Sequence, residues 1–340
     1  MILVLSSDMY EQGTDPVVDW LAYYGAPFLR LSMGQLIYGK TGVVVDVDKE
    51  SLLVNNVNIR EEVNVVWFSR MLPKQTADDT FGICQPKSLH EDIREEASSC
   101  LEFIYYLLED KIWLPHFDSV AVNKLMVLNR AGKYHIKVPH SRLINNREDL
   151  ETFFRENNGR VVTKPVHGAV FYLKDDYAYL SFTKRMRQQE IDLLPDTFFT
   201  SLYQEFIESD FEVRLFYLDG SMYPLAMLPS KADERQADIK HTRLTQPLHY
   251  HSFRLTGEEK ESLQQLMQDL NLNICTIDLL KKGSELVLVD VNPVGQYLFE
   301  SQQGNRFLEK AIAEWLIKQD GKRVNQNSYK NHGAVTHPVS

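Results

Sequence analysis

Residues 274–293 read Ile-Cys-Thr-Ile-Asp-Leu-Leu-Lys-Lys-Gly-Ser-Glu-Leu-Val-Leu-Val-Asp-Val-Asn-Pro. Two apolar, β-branched runs flank a turn at Lys281 to Ser284, the pattern of a β-hairpin. Side chains alternate along a strand, so Asp290 and Asn292 project from the same face. With the register centred on Ser284, Asp278 lies directly opposite Asp290. Facing carboxylates repel and cost stability unless a cation sits between them. Two carboxylates plus an amide oxygen make a hard, oxygen-only ligand set suited to Mg²⁺. The structural alternative is a solvent-facing strand end whose Asp and Asn serve turn chemistry. Register decides between them, because a slip of one residue sends every side chain to the other face.

Upstream of this hairpin lie three lysines in distinct settings. Lys124 falls in a helix within 115–135, Lys164 ends an apolar strand at 160–164, and Lys240 sits in a polar loop. Lys164 is followed by Pro165 and then Gly168, where backbone without a Cβ can approach a phosphate while the lysine supplies charge. Neither a Walker A loop nor a G-x-G-x-x-G near a strand start is present. Taken singly, each lysine reads as a solvated surface charge; their order along the chain is what singles them out.

The rest of the chain alternates strand and helix signals. Ile2 to Ser6 reads as a buried strand, and Thr14-Asp15-Pro16 starts a helix that Gly25 can end. Strands follow at Phe28–Leu31, Val43–Val47 and Val63–Phe68. Between Ser88 and Asp110 the apolar residues Ile93, Ala97, Cys100, Leu101, Ile104, Leu107 and Leu108 keep a helical period. A helix at 147–157, a hairpin at 169–182, a strand at 202–207, a hairpin turning at Asp219-Gly220, a helix at 257–270 and a last helix at about 305–318 complete the pattern. The expected division is an α/β domain over 1–114, a central subdomain over 115–200, a C-terminal subdomain over 201–320 and a polar, mobile tail over 321–340.

Composition bounds the function. The chain has 340 residues, enough for two or three subdomains, and is 44% hydrophobic and 25% charged. A net charge of −10 argues against a general nucleic-acid binder, which needs a basic footprint. Cys84, Cys100 and Cys275 are far apart, which suits a reducing compartment and neither a disulfide scaffold nor a zinc site. With no long uncharged apolar run and no basic N-terminal flank, a soluble, cytoplasmic protein without a membrane span is expected. Lesser features read as structural or as surface: His249 and His251 share a strand face without a third ligand at helpful spacing, and Trp67 and Arg70 end a strand. Basic islands at 183–187 and 231–243 are either solvated surface or attractors of an acidic peptide.

Lys124, Lys164, Tyr203-Gln204-Glu205-Phe206-Ile207, Asp210, Glu212-Val-Arg214 and Asp278…Asp290-x-Asn292 occur in an order that resembles the ATP-grasp superfamily from about residue 115 to 310. The resemblance implies an α/β ATP-grasp fold with an N-terminal pre-grasp domain and two grasp subdomains. It implies that Lys124 and Lys164 contact ATP phosphates and that the backbone of Glu205 to Ile207, after Gln204, pairs with adenine. Asp210 then holds the ribose hydroxyls, Arg214, beside Glu212, faces the γ-phosphate or the activated carboxylate, and Asp278, Asp290 and Asn292 bind Mg²⁺. Two departures stand out: Asp290 replaces the more usual Glu, and the glycine-rich flap is reduced to His167-Gly168-Ala169.

A narrower resemblance covers nearly the whole chain. Thr14-Asp-Pro-Val-Val-Asp-Trp-Leu21, Val66-Trp-Phe-Ser-Arg70 and Asn292-Pro-Val-Gly-Gln296 are similar to the graspetide synthetases, especially the grasp-with-spasm maturases. These phosphorylate Asp or Glu side chains of a ribosomal precursor peptide, and Ser/Thr hydroxyls or Lys amines then close ω-ester or ω-amide rings. The family's Asp-x-Arg loop matches Asp238-Ile-Lys240, where Lys replaces the bidentate Arg with a point charge. By the same analogy the segment 169–187 docks the leader peptide and the protein is a homodimer. The rival expectations are a small-substrate carboxylate–amine ligase on the same fold and a nucleotide-binding regulator without turnover.

Overall fold

The computed structural model describes residues 1–7, 9–69, 87–166, 171–174, 177–180, 183–229 and 247–331. The chain divides into two units, one built from Met1–Val120 with Gln296–Ser340 and the other from Ala121–Gly295.

The first unit is organised by β1 (Ile2–Leu5), β2 (Phe28–Leu31), β6 (Val65–Phe68) and β7 (Ile112–Leu114), all parallel in the order β2-β1-β6-β7. Parallel strands covered on both faces read as continuous apolar runs rather than alternating ones. Thus Leu3 and Leu5 enter one core with Leu101, Ile104 and Leu107 of α4 (Lys87–Leu107), while Ile2 and Val4 on the other face are equally buried. Cys100, which fits the same helical period, is exposed. α1 (Asp15–Tyr23) connects β1 to β2. Two short helices, α2 (Met33–Leu36) and α3 (Ile59–Glu62), bracket a small antiparallel sheet of β3 (Val43–Asp46), β4 (Ser51–Val54) and β5 (Val57–Asn58). Asn55 and Asn56 both take positive φ between β4 and β5, the backbone a two-residue hairpin turn requires.

Toward the C-terminus, α9 (Leu298–Gly304) and α10 (Leu308–Asn331) return to this unit. α10 packs on α1, β1 and β6, burying Leu308, Ile312, Ala313 and Leu316 completely. The residues from 296 onward, read from sequence as part of the C-terminal subdomain, therefore cluster with the N-terminal strands. The helix also runs through 321–331, where a polar tail was expected.

The second unit contains two larger antiparallel sheets. One has the order β12-β9-β13-β8, from β8 (Ser141–Asn146), β9 (Val161–Thr163), β12 (Lys184–Arg185) and β13 (Thr197–Glu205). Helices α6 (Arg147–Glu156) and α7 (Gln188–Asp192) supply Leu150, Phe153 and Ile191 to its core with Ile144, Val161 and Tyr203. β10 (Phe171–Lys174) and β11 (Tyr177–Leu180) form the expected separate hairpin. The other sheet has the order β16-β15-β14-β17-β18, comprising β14 (Phe211–Leu218), β15 (Ser221–Pro229), β16 (Leu248–Ser252), β17 (Ile274–Lys282) and β18 (Glu285–Asn292). Val213, Leu215, Ile277, Leu279, Leu288 and Val291 pack with Val127 and Ala131 of α5 (Lys124–Ala131) and Leu263, Leu266 and Met267 of α8 (Gly257–Asp269). The expected turn at Asp219-Gly220 is present, with both residues at positive φ.

Candidate active site

Alternation fixes which face carries the polar residues. Val213 and Leu215 of β14, and Ile277 and Leu279 of β17, point into the core, so Arg214 and Asp278 project from the opposite face. Arg214 pairs in register with Asp278, and Asp278 with Asp290. The three form one row across β14, β17 and β18, with Thr276 opposite Asn292 in the next.

This register arises differently from the sequence reading. Lys282 pairs with Glu285, so the turn is the two residues Gly283 and Ser284, with Gly283 at φ +56°. That turn alone places Asp278 opposite Val289. A β-bulge between the Leu279–Leu288 and Asp278–Asp290 pairs inserts Val289 as an extra residue and restores the facing carboxylates. Because of the bulge, Leu288 and Val291, three residues apart, both face the core.

Two cations face the carboxylates of the row and a third is seated beside it. Arg214, only 7% exposed, lies with Nη1 3.4 Å from Asp278 Oδ1. Lys124 Nζ lies 3.3 Å from Asp290 Oδ2. Lys164 Nζ donates to the carbonyl of Val289 at 3.0 Å, using the backbone group that the bulge presents. Lys124 is the first residue of α5, whose N-cap Asn123 accepts from the N–H groups of Leu125 and Met126. Gly295 secures the end of β18: its φ is +65°, and a Cβ there meets Ile274 Cγ1 at 3.0 Å and Phe216 at 3.2 Å. Its N–H donates back to the Asn292 carbonyl at 3.4 Å.

The donor set fits a divalent ion. No group of three His, Cys, Asp or Glu side chains able to hold a metal occurs among the described residues, so Asn292 is needed to complete the set. The Nδ2 of Asn292 is buried and makes no hydrogen bond among those residues. Asp278, Asp290 and Asn292 all offer the hard oxygens that Mg²⁺ takes.

The 204–210 segment is more committed than its sequence suggests. Gln204 is buried and donates through Nε2 to Ser141 Oγ at 2.8 Å, so its side chain ties β13 to β8. The N–H groups of Glu205 and Phe206 donate to the His140 and Arg160 carbonyls at 2.8 and 2.9 Å. Ile207 N–H has no backbone partner among the described residues. Asp210 is exposed and accepts through Oδ2 from Gly283 N–H at 2.7 Å, capping the β17–β18 turn. Glu212 precedes Arg214 by two residues on the same face of β14. Gly168, Asp238 and Lys240 lie outside the described residues, as do Arg70 and Cys84.

Sequence reasoning did not find Val289, whose carbonyl seats Lys164, or Ser141. A bulge inside an apolar run leaves no compositional signal, although a two-residue turn combined with a required Asp–Asp pairing forces one extra residue. His249 and His251 are exposed on β16, at one side of the sheet. In the basic island at 183–187, Lys184 pairs with Glu190 at 2.8 Å and Arg185 stacks over the Phe206 ring at 4.8 Å.

No family model and no curated protein matches the chain. Solved structures do. The macrocyclase MdnC from Microcystis aeruginosa, bound with precursor peptide MdnA, is similar with a TM-score of 0.72 at 18% identity, over 93% of this chain and 99% of that one. A RiPP-associated ATP-grasp ligase from Chryseobacterium gregarium, in complex with ADP and a leader and core peptide, gives 0.76 at 17% over 94% and 96%. The ATP-grasp ligase PsnB, complexed with minimal precursor, Mg and ADP, gives 0.73 at 17% over 94% and 96%. The chain has an ATP-grasp fold. The expected α/β ATP-grasp fold is therefore the observed one, and the Arg214–Asp278–Asp290 row lies in the antiparallel sheet at the C-terminal end of the second unit. No helix among the described residues of this ATP-grasp chain is long and apolar enough to cross a membrane.

Proposed function

We propose that this ATP-grasp chain is a cytoplasmic, ATP- and Mg²⁺-dependent peptide ligase. It phosphorylates Asp or Glu side chains of a ribosomal precursor peptide and joins them to Ser/Thr hydroxyls or Lys amines as ω-esters or ω-amides. The observation that carries the reading is the pairing of Lys124 and Arg214 with the facing carboxylates Asp290 and Asp278, with Lys164 seated on the adjacent Val289 carbonyl. The similarity to structures described with a precursor peptide, or with leader and core peptides and ADP, favours a peptide over a small acceptor.

In this reading Asp278, Asp290 and Asn292 hold the metal. A magnesium ion held by them would supply positive charge against the nucleotide phosphates. Lys124 and Lys164 bind phosphate oxygens, and Ile207 N–H orients the adenine. Arg214 sits beside the metal ligands on a rigid central strand, where its planar fork suits either the γ-phosphoryl group or the carboxylate receiving it. The protein's contribution is positioning and charge neutralisation, which is what phosphoryl transfer to a carboxylate oxygen requires. The hydroxyl or amine then attacks the acyl carbon: the new ester or amide bond forms, the acyl C–O bond to phosphate breaks, inorganic phosphate leaves, and the nucleophile gives up its proton.

Incubation with ATP, Mg²⁺ and a candidate precursor rich in Thr/Lys and Asp/Glu tests the proposal by mass spectrometry. The expected result is loss of one water mass per ring, with ADP formed alongside. Unchanged peptide mass, with ADP released only when a small amine is supplied, would instead identify a small-substrate ligase; absence of ADP under every condition would identify a regulator.

A further inference from the structure

We infer that Lys124 competes with the divalent cation for Asp290, so that nucleotide phosphates, by drawing the ammonium away, make the metal site available. The inference rests on the metal and nucleotide assignment proposed above and adds an order to it.

The competition follows from geometry. The Lys124 ammonium lies 3.3 Å from Asp290 Oδ2, and the two side chains are only 12% and 19% exposed. Screening by water is weaker there than at an open surface. Asp278 faces Arg214 in the same way. Each carboxylate of the row thus already faces a cation, with Lys164 seated on the neighbouring Val289 carbonyl. A divalent ion arriving alone must displace the ammonium from Asp290 and then sit beside Lys124 and Arg214, adding positive charge to a partly buried site that already holds these cations. A divalent ion arriving with a polyphosphate meets no such excess.

The position of Lys124 supplies the other half of the argument. It is the first residue of an eight-residue helix, where the helix dipole disfavours a cation and favours an anion. The ammonium is therefore stabilised by whichever anion reaches it, Asp290 or a phosphate, and not by its own helix. Phosphate oxygens at that end gain from both the dipole and the lysine, and when the ammonium turns to them Asp290 keeps the Val291 N–H that donates to its Oδ1 at 3.1 Å.

The test measures Mn²⁺ binding to the full chain by water-proton relaxation, which reports metal held on protein, with and without ADP. Wild type is expected to bind Mn²⁺ weakly alone and about tenfold more tightly with ADP. Lys124→Met and Lys124→Gln are expected to bind Mn²⁺ alone about tenfold more tightly than wild type, to show a smaller further gain from ADP than wild type does, and to bind ADP more weakly. Lys124→Arg, which keeps the charge, should stay close to wild type. Thermal melts of each variant confirm that it is folded. If both neutral variants bind Mn²⁺ alone no better than wild type while wild type still gains with ADP, the competition is refuted and the metal–nucleotide assignment stands. If wild type holds no Mn²⁺ even with ADP, both fall together.

Discussion

Asp278 and Asp290 face each other across adjacent strands, an arrangement that costs stability unless opposite charge is supplied. Arg214 and Lys124 supply it here, and the same two carboxylates carry the proposed metal. Asp290→Asn and Asp278→Asn are each expected to lower metal-dependent ADP formation by roughly a hundredfold or more, while thermal melting changes little. Gly295→Ala tests the support beneath them. A Cβ at φ +65° collides with Ile274 and Phe216, so a cost of roughly 1–3 kcal/mol is expected from backbone strain. A lower Tm would accompany weaker metal binding, because the turn anchors Asn292. In the other unit, burial pushes the Asp15 carboxyl up, but its hydrogen bonds to Arg30 and to the Glu11 N–H bring it below its ordinary 3.8. A lowered folded pKa means that the contribution to stability is fully present above the unfolded value and fades as pH falls through the folded one. Arg30→Gln should therefore flatten the loss of thermal stability below about pH 4 relative to wild type. Much of this scale was legible in the sequence. Asp278 and Asp290 follow from alternation with an assumed register and Arg214 from the resemblance of Glu212-Val-Arg214 to an ATP-grasp motif, but the use of the Gln204 side chain was not legible, because its partner Ser141 is 63 residues away.

At the scale of elements, the β17–β18 hairpin is the most readable part of the chain, since a Gly-Ser turn between two apolar runs names itself. Its facing aspartates were placed correctly through a register that is right only beyond Val289. Alternation counts residues but cannot show where the ladder gains one. Deleting Val289 tests what the bulge does. The shortened strand keeps Asp290 opposite Asp278 with a regular ladder, but it removes the carbonyl that Lys164 holds at 3.0 Å. Mn²⁺ binding should survive within a few-fold, whereas ADP affinity should fall about tenfold as the lysine loses its seat. Val289→Ala, which keeps the backbone, should change neither. Other elements were less visible for physical reasons. β4 and β5 turn on Asn55-Asn56 rather than on glycine, and β7 spans only three residues. β13 begins at Thr197 because strand pairing with Asn146 of β8 extends it past the apolar stretch, across a register shift.

For the molecule as a whole, periodicity announced α10 as an amphipathic helix but could not say which sheet it covers. It covers the first unit. Leu308, Ile312 and Leu316 are fully buried, each worth roughly 1.5–3 kcal/mol, and Asn64 Nδ2 donates to Asp320 Oδ1 at 2.8 Å. A whole domain is stable by only about 5–15 kcal/mol. Truncation after Gly295 is therefore expected to unfold the first unit, visible as rapid proteolysis within 1–120, while 121–295 stays resistant.

Because the first unit is assembled from both the early strands and the late helix, the ribosome sets its timetable. β1 and β6 leave the exit tunnel with their α10-facing surface uncovered and wait while residues 121–295 are translated, a delay on the order of ten seconds or more at 5–20 residues per second. The second unit is continuous and can fold during that interval. The waiting strands are a natural client surface for a chaperone, and slower translation across 121–295 prolongs their exposure without altering a single native contact.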